Sequence, residues 1–180
     1  MEKKSILNSY MYLFAASSNA LTLAKANKGE NFLNYITAMV FSAFCIEAFL
    51  NHLLMQKFEF WEILKEKLNP SDKLCILAKE LNINIDYSRR PFQSFKRIFK
   101  FRNLLVHAKT EHLHDENYEL PEDGEESFYS DRPRSEWQEM VTLKNANEFN
   151  EDTKKIVEFL YLKMHLDGDP WAFSTDTLYI

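Results

Sequence analysis

Apolar positions recur along most of this chain at the three-to-four residue spacing of helices, and that spacing lays out its elements. Residues 5–27 read as a first amphipathic helix, opening at Ser5 and stopping before Lys28-Gly29. Residues 31–56 read as a second, apolar nearly all round, with Glu47 as its single formal charge. A helix of that kind belongs at the centre of a bundle, surrounded by others. A short third helix is expected over 58–68, ending at Asn69-Pro70, and a fourth from an N-cap at Ser71-Asp72 to about Leu81. Arg89-Arg90-Pro91 opens a fifth, with Pro91 near its first turn, running to about Thr110. The helical period then lapses over 111–145, which holds Pro121, Gly124 and Pro133. This stretch reads as a long, partly irregular insert with a short strand near Trp137–Leu143. A last helix is expected over 147–166. The tail, 167–180, carries Trp171, Phe173 and Tyr179 and is expected to pack against something.

Composition narrows the class. With 180 residues, 46% of them hydrophobic, and only 3 Gly and 5 Pro, the chain suits one domain over 1–180. Few turn residues argue for an all-α bundle of five to six helices rather than an all-β fold. Residues 31–56 are long enough to cross a bilayer. Asn31, Asn34, Ser42, Glu47, Asn51 and His52 would be costly in lipid, however, and no basic clusters flank the segment. The expectation is a soluble, cytoplasmic protein with no membrane span. Met1-Glu2-Lys3-Lys4-Ser5 lacks the layout of a secretory signal. Cys45 and Cys75 both lie in apolar helical pattern and read as reduced core thiols.

Charge is informative in its distribution. The net charge of −5 tells against a general nucleic-acid coat. Yet residues 88–110 hold Arg89, Arg90, Lys96, Arg97, Lys100, Arg102 and Lys109 and no acidic residue, whereas residues 111–126 hold eight acidic residues and no Lys or Arg. Two readings follow: two solvated surfaces, or an acidic loop that shields a basic helix when nucleic acid is absent.

The fifth helix carries the candidate chemistry. On a wheel of about 100° per residue, Phe92, Phe95, Ile98, Phe99, Leu105 and Val106 form one apolar face, and Arg102 falls near its middle. A guanidinium there needs a partner, and Glu47 is the preferred one. Asn103 and His107 are neighbours at i, i+4 on a flank shared with Lys96 and Lys100. Asn103 is placed to fix the imidazole tautomer by a hydrogen bond. His107 lies about 7.5 Å along the axis from Arg102 and about 140° around it, so the two converge only at the edge of a groove. Read without a function, Arg102 is a core arginine paired with Glu47, and His107 a surface histidine.

The run Arg102-Asn103-Leu104-Leu105-Val106-His107 resembles the Arg-polar-three-His signature of HEPN domains, the helical domains named for higher eukaryotes and prokaryotes nucleotide binding. The order of elements over residues 5–166 is also similar to theirs. The resemblance implies an HEPN-like up-and-down helical bundle and, for many members, a metal-independent endoribonuclease of toxin–antitoxin or phage-defence systems. Such proteins are typically homodimers whose two motif helices line a shared cleft. It implies that His107 and Arg102 are catalytic and that Asn103 supports them, with Lys96, Arg97, Lys100 and Lys109 available to bind RNA. Partners would be RNA or nucleotide, a second copy through the motif helix and an antitoxin protein, with no metal or other cofactor. One toxin subset carries a modifiable Tyr two residues after the motif His; that position is Lys109 here. Some HEPN domains are inactive binding modules, which leaves a non-catalytic role open. A metal reading of Glu111-His112-Leu113-His114-Asp115-Glu116 lacks a distant cluster to complete it.

Overall fold

A computed structural model describes residues 3–4, 7–27, 31–64, 67–113, 133–172 and 178–179. Its helices are α1 (Ser9–Ala26), α2 (Phe32–Lys57), α3 (Trp61–Leu64), α4 (Pro70–Glu80), α5 (Phe92–Val106), α6 (Glu136–Met140) and α7 (Leu143–Lys163). The chain is an all-α bundle. Its one sheet pairing among the described residues joins two-residue strands, Lys3–Lys4 (β1) and Leu178–Tyr179 (β2), antiparallel.

The central helix is α2. It is long and apolar enough to cross a membrane by length and composition, and α1, α4, α5 and α7 all pack against it. Met39, Ile46, Phe49, Leu50, Leu53 and Leu54 are fully buried there. A polar node ties three helices together within this core. Ser17 Oγ donates to the Ala38 carbonyl at 2.8 Å, Ser42 Oγ lies 3.0 Å from Ser17 Oγ, and Asn150 Nδ2 donates to Ser17 Oγ at 2.9 Å. Burying these groups is tolerable because each has a partner.

Several boundaries differ from the sequence reading, each for a local reason. The cap of α4 is Asn69, whose side chain accepts from the N–H groups of Ser71 and Asp72, with Pro70 as the first helical residue. The third helix is the single turn Trp61–Leu64, anchored by buried Trp61. Where a strand was expected near Trp137–Leu143, the chain forms α6, because Ser135 and Gln138 make a reciprocal capping box. Four residues ahead of expectation, α7 begins at Leu143, since Thr142 Oγ1 accepts from the Asn145 N–H at 3.1 Å. It is followed by His165 at φ 53°, in left-handed conformation. The fifth helix stops at Val106 rather than Thr110: residues 107–113 are exposed and offer no apolar face to reward further turns. Cys45 is buried, as expected of a core thiol, but Cys75 is exposed on α4. Trp171 of the tail packs on Phe14 with ring centroids 4.3 Å apart. The rest of the tail near Phe173 and the acidic stretch 114–126 lie outside the described residues.

Candidate functional site

More than one neighbour buries α5. Phe95, Ile98 and Phe99 are buried as the wheel places them. Ser94 and Phe101 are also buried, and Phe101 meets Phe149 of α7 at 6.3 Å between ring centroids. Val106, assigned to the apolar face, is instead exposed. The single-face wheel failed because α5 packs between α2 and α7.

Arg102 faces α2. Its Nη2 donates to Glu47 Oε2 at 3.0 Å, its guanidinium lies 5.5 Å from the Phe99 ring centroid, and its Nε is buried with no hydrogen-bond partner. Glu47 Oε1 in turn accepts from Lys73 Nζ at 3.3 Å, and the Lys73 side chain is only 3% exposed. One carboxylate thus serves two cations, and the triad keeps a net positive charge. Lys73 was missed in the sequence, although a signal was present: it shares the buried face of α4 with Leu74 and Leu77.

Asn103 and His107 lie on the opposite, exposed side. His107 is the C-cap residue of α5, its backbone N–H bonding to the Asn103 carbonyl at 3.0 Å. Among the described residues, the expected side-chain bond between Asn103 and His107 is not made. Both instead line an open groove of about 630 Å³, together with Lys100, Leu104, Lys109 and Glu111. Arg102 is not among the groove's lining residues. One copy of the chain therefore presents Asn103 and His107 in the groove and Arg102 to the core.

The basic character of α5 is largely neutralised from its neighbours. Arg90 Nε donates to Asp152 Oδ2 at 2.6 Å, and that fully buried carboxylate also accepts from Ser94 Oγ at 2.5 Å. These bonds raise the Arg90 pKa above its usual value, the hydrogen bond to Asp152 being the main cause. Arg97 bonds to Glu148 at 2.9 Å and to Asn145 at 2.5 Å. Lys100 pairs with Glu136 of α6, Arg89 with Asp86 at 2.7 Å, and the Lys96 ammonium lies 4.7 Å from the Tyr87 ring centroid. Of the four residues expected to bind RNA, Lys100 and Lys109 line the groove, while Lys96 and Arg97 do not. Asp152 and Glu148 carry no chemical motif. Asp152 nevertheless shares the buried face of α7 with Phe149, Ile156 and Val157, so a core-facing carboxylate awaiting a cation is visible on a wheel. No group of three or more His, Cys, Asp or Glu among the described residues is arranged to hold a metal.

No family model, no curated protein and no solved structure matches this chain.

Proposed function

We propose that the chain is an HEPN-type endoribonuclease that acts as a homodimer. The observation that carries this reading is the exposed Asn103–His107 pair in an open groove with Lys100 and Lys109, at the end of the helix bearing the Arg102-Asn103-x-x-x-His107 run. A groove with an imidazole and two ammonium groups suits a flexible polyanion. In the proposed reaction, the RNA 2′-oxygen bonds to phosphorus and the P–O5′ bond breaks. His107 of one subunit takes the 2′-hydroxyl proton, and protonated His107 of the second copy delivers a proton to the leaving O5′. The products are a 2′,3′-cyclic phosphate and a 5′-hydroxyl. Arg102 contributes positive charge toward the pentacoordinate phosphate through the cationic triad it forms with Glu47 and Lys73. A soluble, cytoplasmic toxin or phage-defence component, restrained by an antitoxin protein, fits this activity.

The test is cleavage of single-stranded RNA in EDTA by the purified chain. We expect cyclic-phosphate or 3′-phosphate ends, and at least about a hundredfold loss for His107→Ala. Because His107 is an exposed cap residue, that variant should unfold within about 0.5 kcal/mol of the parent. Equal cleavage by the variant defeats the assignment.

One observation favours a second reading, a non-catalytic HEPN-like module for RNA, nucleotide or protein: Arg102 is already engaged by Glu47. That reading expects saturable RNA binding with no turnover, lost when Lys100 and Lys109 are both changed to Glu.

A further inference from the structure

The outer side of α2 forms a surface of its own, apart from the His107 groove. Only 44% of the most apolar stretch of this helix is buried, although several helices pack against it. Leu33, Phe44 and Met55 are 66%, 37% and 55% exposed. They stand 11 residues apart, which is three helical turns, so they lie in one line along the helix. Half-buried Thr37, Val40, Ala48 and Asn51 fall on the same line. The stripe runs about 33 Å, nearly the whole of α2. Contiguous exposed apolar surface of this extent marks interaction sites.

The stripe is symmetric about Phe44. Residues equally far from Phe44 match in character: Val40 and Ala48 are small and apolar, Thr37 and Asn51 polar, Leu33 and Met55 large and apolar. The offsets are 4, 7 and 11 residues on either side. A two-fold axis at Phe44 would therefore lay α2 antiparallel on its own image, Phe44 on Phe44 and each residue against its match. Relief agrees with chemistry. A hollow of about 310 Å³ opens beside the C-terminal half, lined by Ala48, Asn51, His52 and Met55 of α2 and by Leu7 and Trp61. The projecting segment from Leu33 to Thr37 of a second copy would arrive at that hollow.

Charge does not oppose such a contact. Glu47 is the only Asp, Glu, Lys or Arg between Leu33 and Met55, and Lys73 and Arg102 hold it at the stripe's edge. Two copies can meet here without like charges facing each other. A lipid surface would call for Lys or Arg along the stripe, and there is none. Area suffices as well. The free arc spans about 140° of a helix about 11 Å across, so each copy offers on the order of 500 Å² and two bury about 1,000 Å². That is the lower bound for a specific interface and suits a reversible dimer.

We propose that the outer face of α2 is a self-association surface that pairs two copies of this chain antiparallel about Phe44. The contact is made by α2, not by the helix that carries Asn103 and His107, and it stands whether or not the chain cuts RNA. The two-fold axis lies in the interface plane, so a flank of α2 in one copy meets the same flank in the other. Arg102, bonded to Glu47, places α5 on one such flank. Both copies of α5 then come to a single edge of the dimer.

The experiment is sedimentation equilibrium of the full chain from about 1 to about 200 µM, joined to cysteine crosslinking. We expect a monomer–dimer equilibrium. Phe44→Glu should raise its Kd at least about tenfold, because two like charges meet at the axis. Leu33→Glu, at a position 66% exposed, should raise it too, and replaces Phe44→Glu if circular dichroism shows that variant unfolded. In a Cys75→Ser background, which removes the exposed thiol, Phe44→Cys should crosslink copy to copy under mild oxidation. Leu33→Cys should crosslink only when Met55→Cys is also present, since each lies about 33 Å from its own counterpart. A chain monomeric at every concentration, or one that binds phosphatidylcholine vesicles through this face instead, overturns the proposal. So does crosslinking of Leu33→Cys alone. A dimer that survives the Glu variants overturns it as well, while leaving the homodimer of the RNA reading intact on another surface. RNA cleavage plays no part in these readouts, so the two assignments fail separately.

Discussion

Glu47 is the residue on which the most unequal consequences converge. It is the only acidic residue on the central helix and accepts from both Lys73 and Arg102. Replacing it by Ala strands two shielded cations, and a buried charge without its partner costs about 3 kcal/mol or more. Lys73→Met removes one cation and leaves the Glu47–Arg102 pair intact, so it should cost less than about 1 kcal/mol. Urea unfolding of the two variants checks the asymmetry; equal losses would mean that the triad is not a unit. His52 supplies a pH dependence. Burial lowers its pKa below 6.5, so between the folded value and 6.5 the unfolded chain binds more protons than the folded one. Stability should therefore rise with pH through that window and fall on acidification. The decline of the urea midpoint between pH 7 and pH 5 should be shallower in His52→Gln, and an unchanged slope would contradict this.

At the scale of elements, stability rests on caps as much as on apolar faces. Asn69→Ala removes the acceptor for two orphan N–H groups at the start of α4 and should cost about 1 kcal/mol. Ser71→Ala should be nearly silent, because Ser71 is not the cap. Thermal melts of the pair decide between Asn69 and Ser71. The same comparison explains what was legible in the sequence. The long apolar run of α2 announces a core helix, since burial on all sides leaves a composition that few loops share. The Arg102–Glu47 pair was legible because a lone carboxylate on that helix and a guanidinium on an apolar face each demand a partner. The short α6 was not legible: it exists through the Ser135–Gln138 box and contact with α5, not through any period. The burial of Phe101 was missed because a wheel assumes one neighbour, and α5 packs on α7 as well as on α2.

For the whole molecule, the seven cations between 88 and 110 suggest an electropositive surface that the folded chain does not present. Arg89, Arg90, Arg97, Lys100 and Arg102 are each bonded to a carboxylate of the loop before α5, α7, α6 or α2. The body as a whole carries −5. Under the proposed function, capture of RNA by one copy would rest on few contacts, chiefly Lys109 and whatever part of Lys100 the exposed Glu136 pair releases. Each phosphate neutralised on a single strand contributes about 0.7 to the slope of log affinity against log salt. Two such lysines per subunit give a slope of about −1.4 for one copy and about −2.8 for a dimer. The proposed composite site consequently predicts that RNA cleavage is second order in chain at low concentration, with the steeper slope appearing only once the dimer forms. Lys109→Glu should reduce that slope by about 1.4 in the dimer while leaving the melting temperature unchanged. Arg97→Met should instead lower the melting temperature, because it breaks the bonds from α5 to Glu148 and Asn145, and should leave the salt slope alone. Cleavage first order in chain, with a slope near that of one copy at every concentration, would place the whole reaction in a single subunit and remove the dimer from the mechanism.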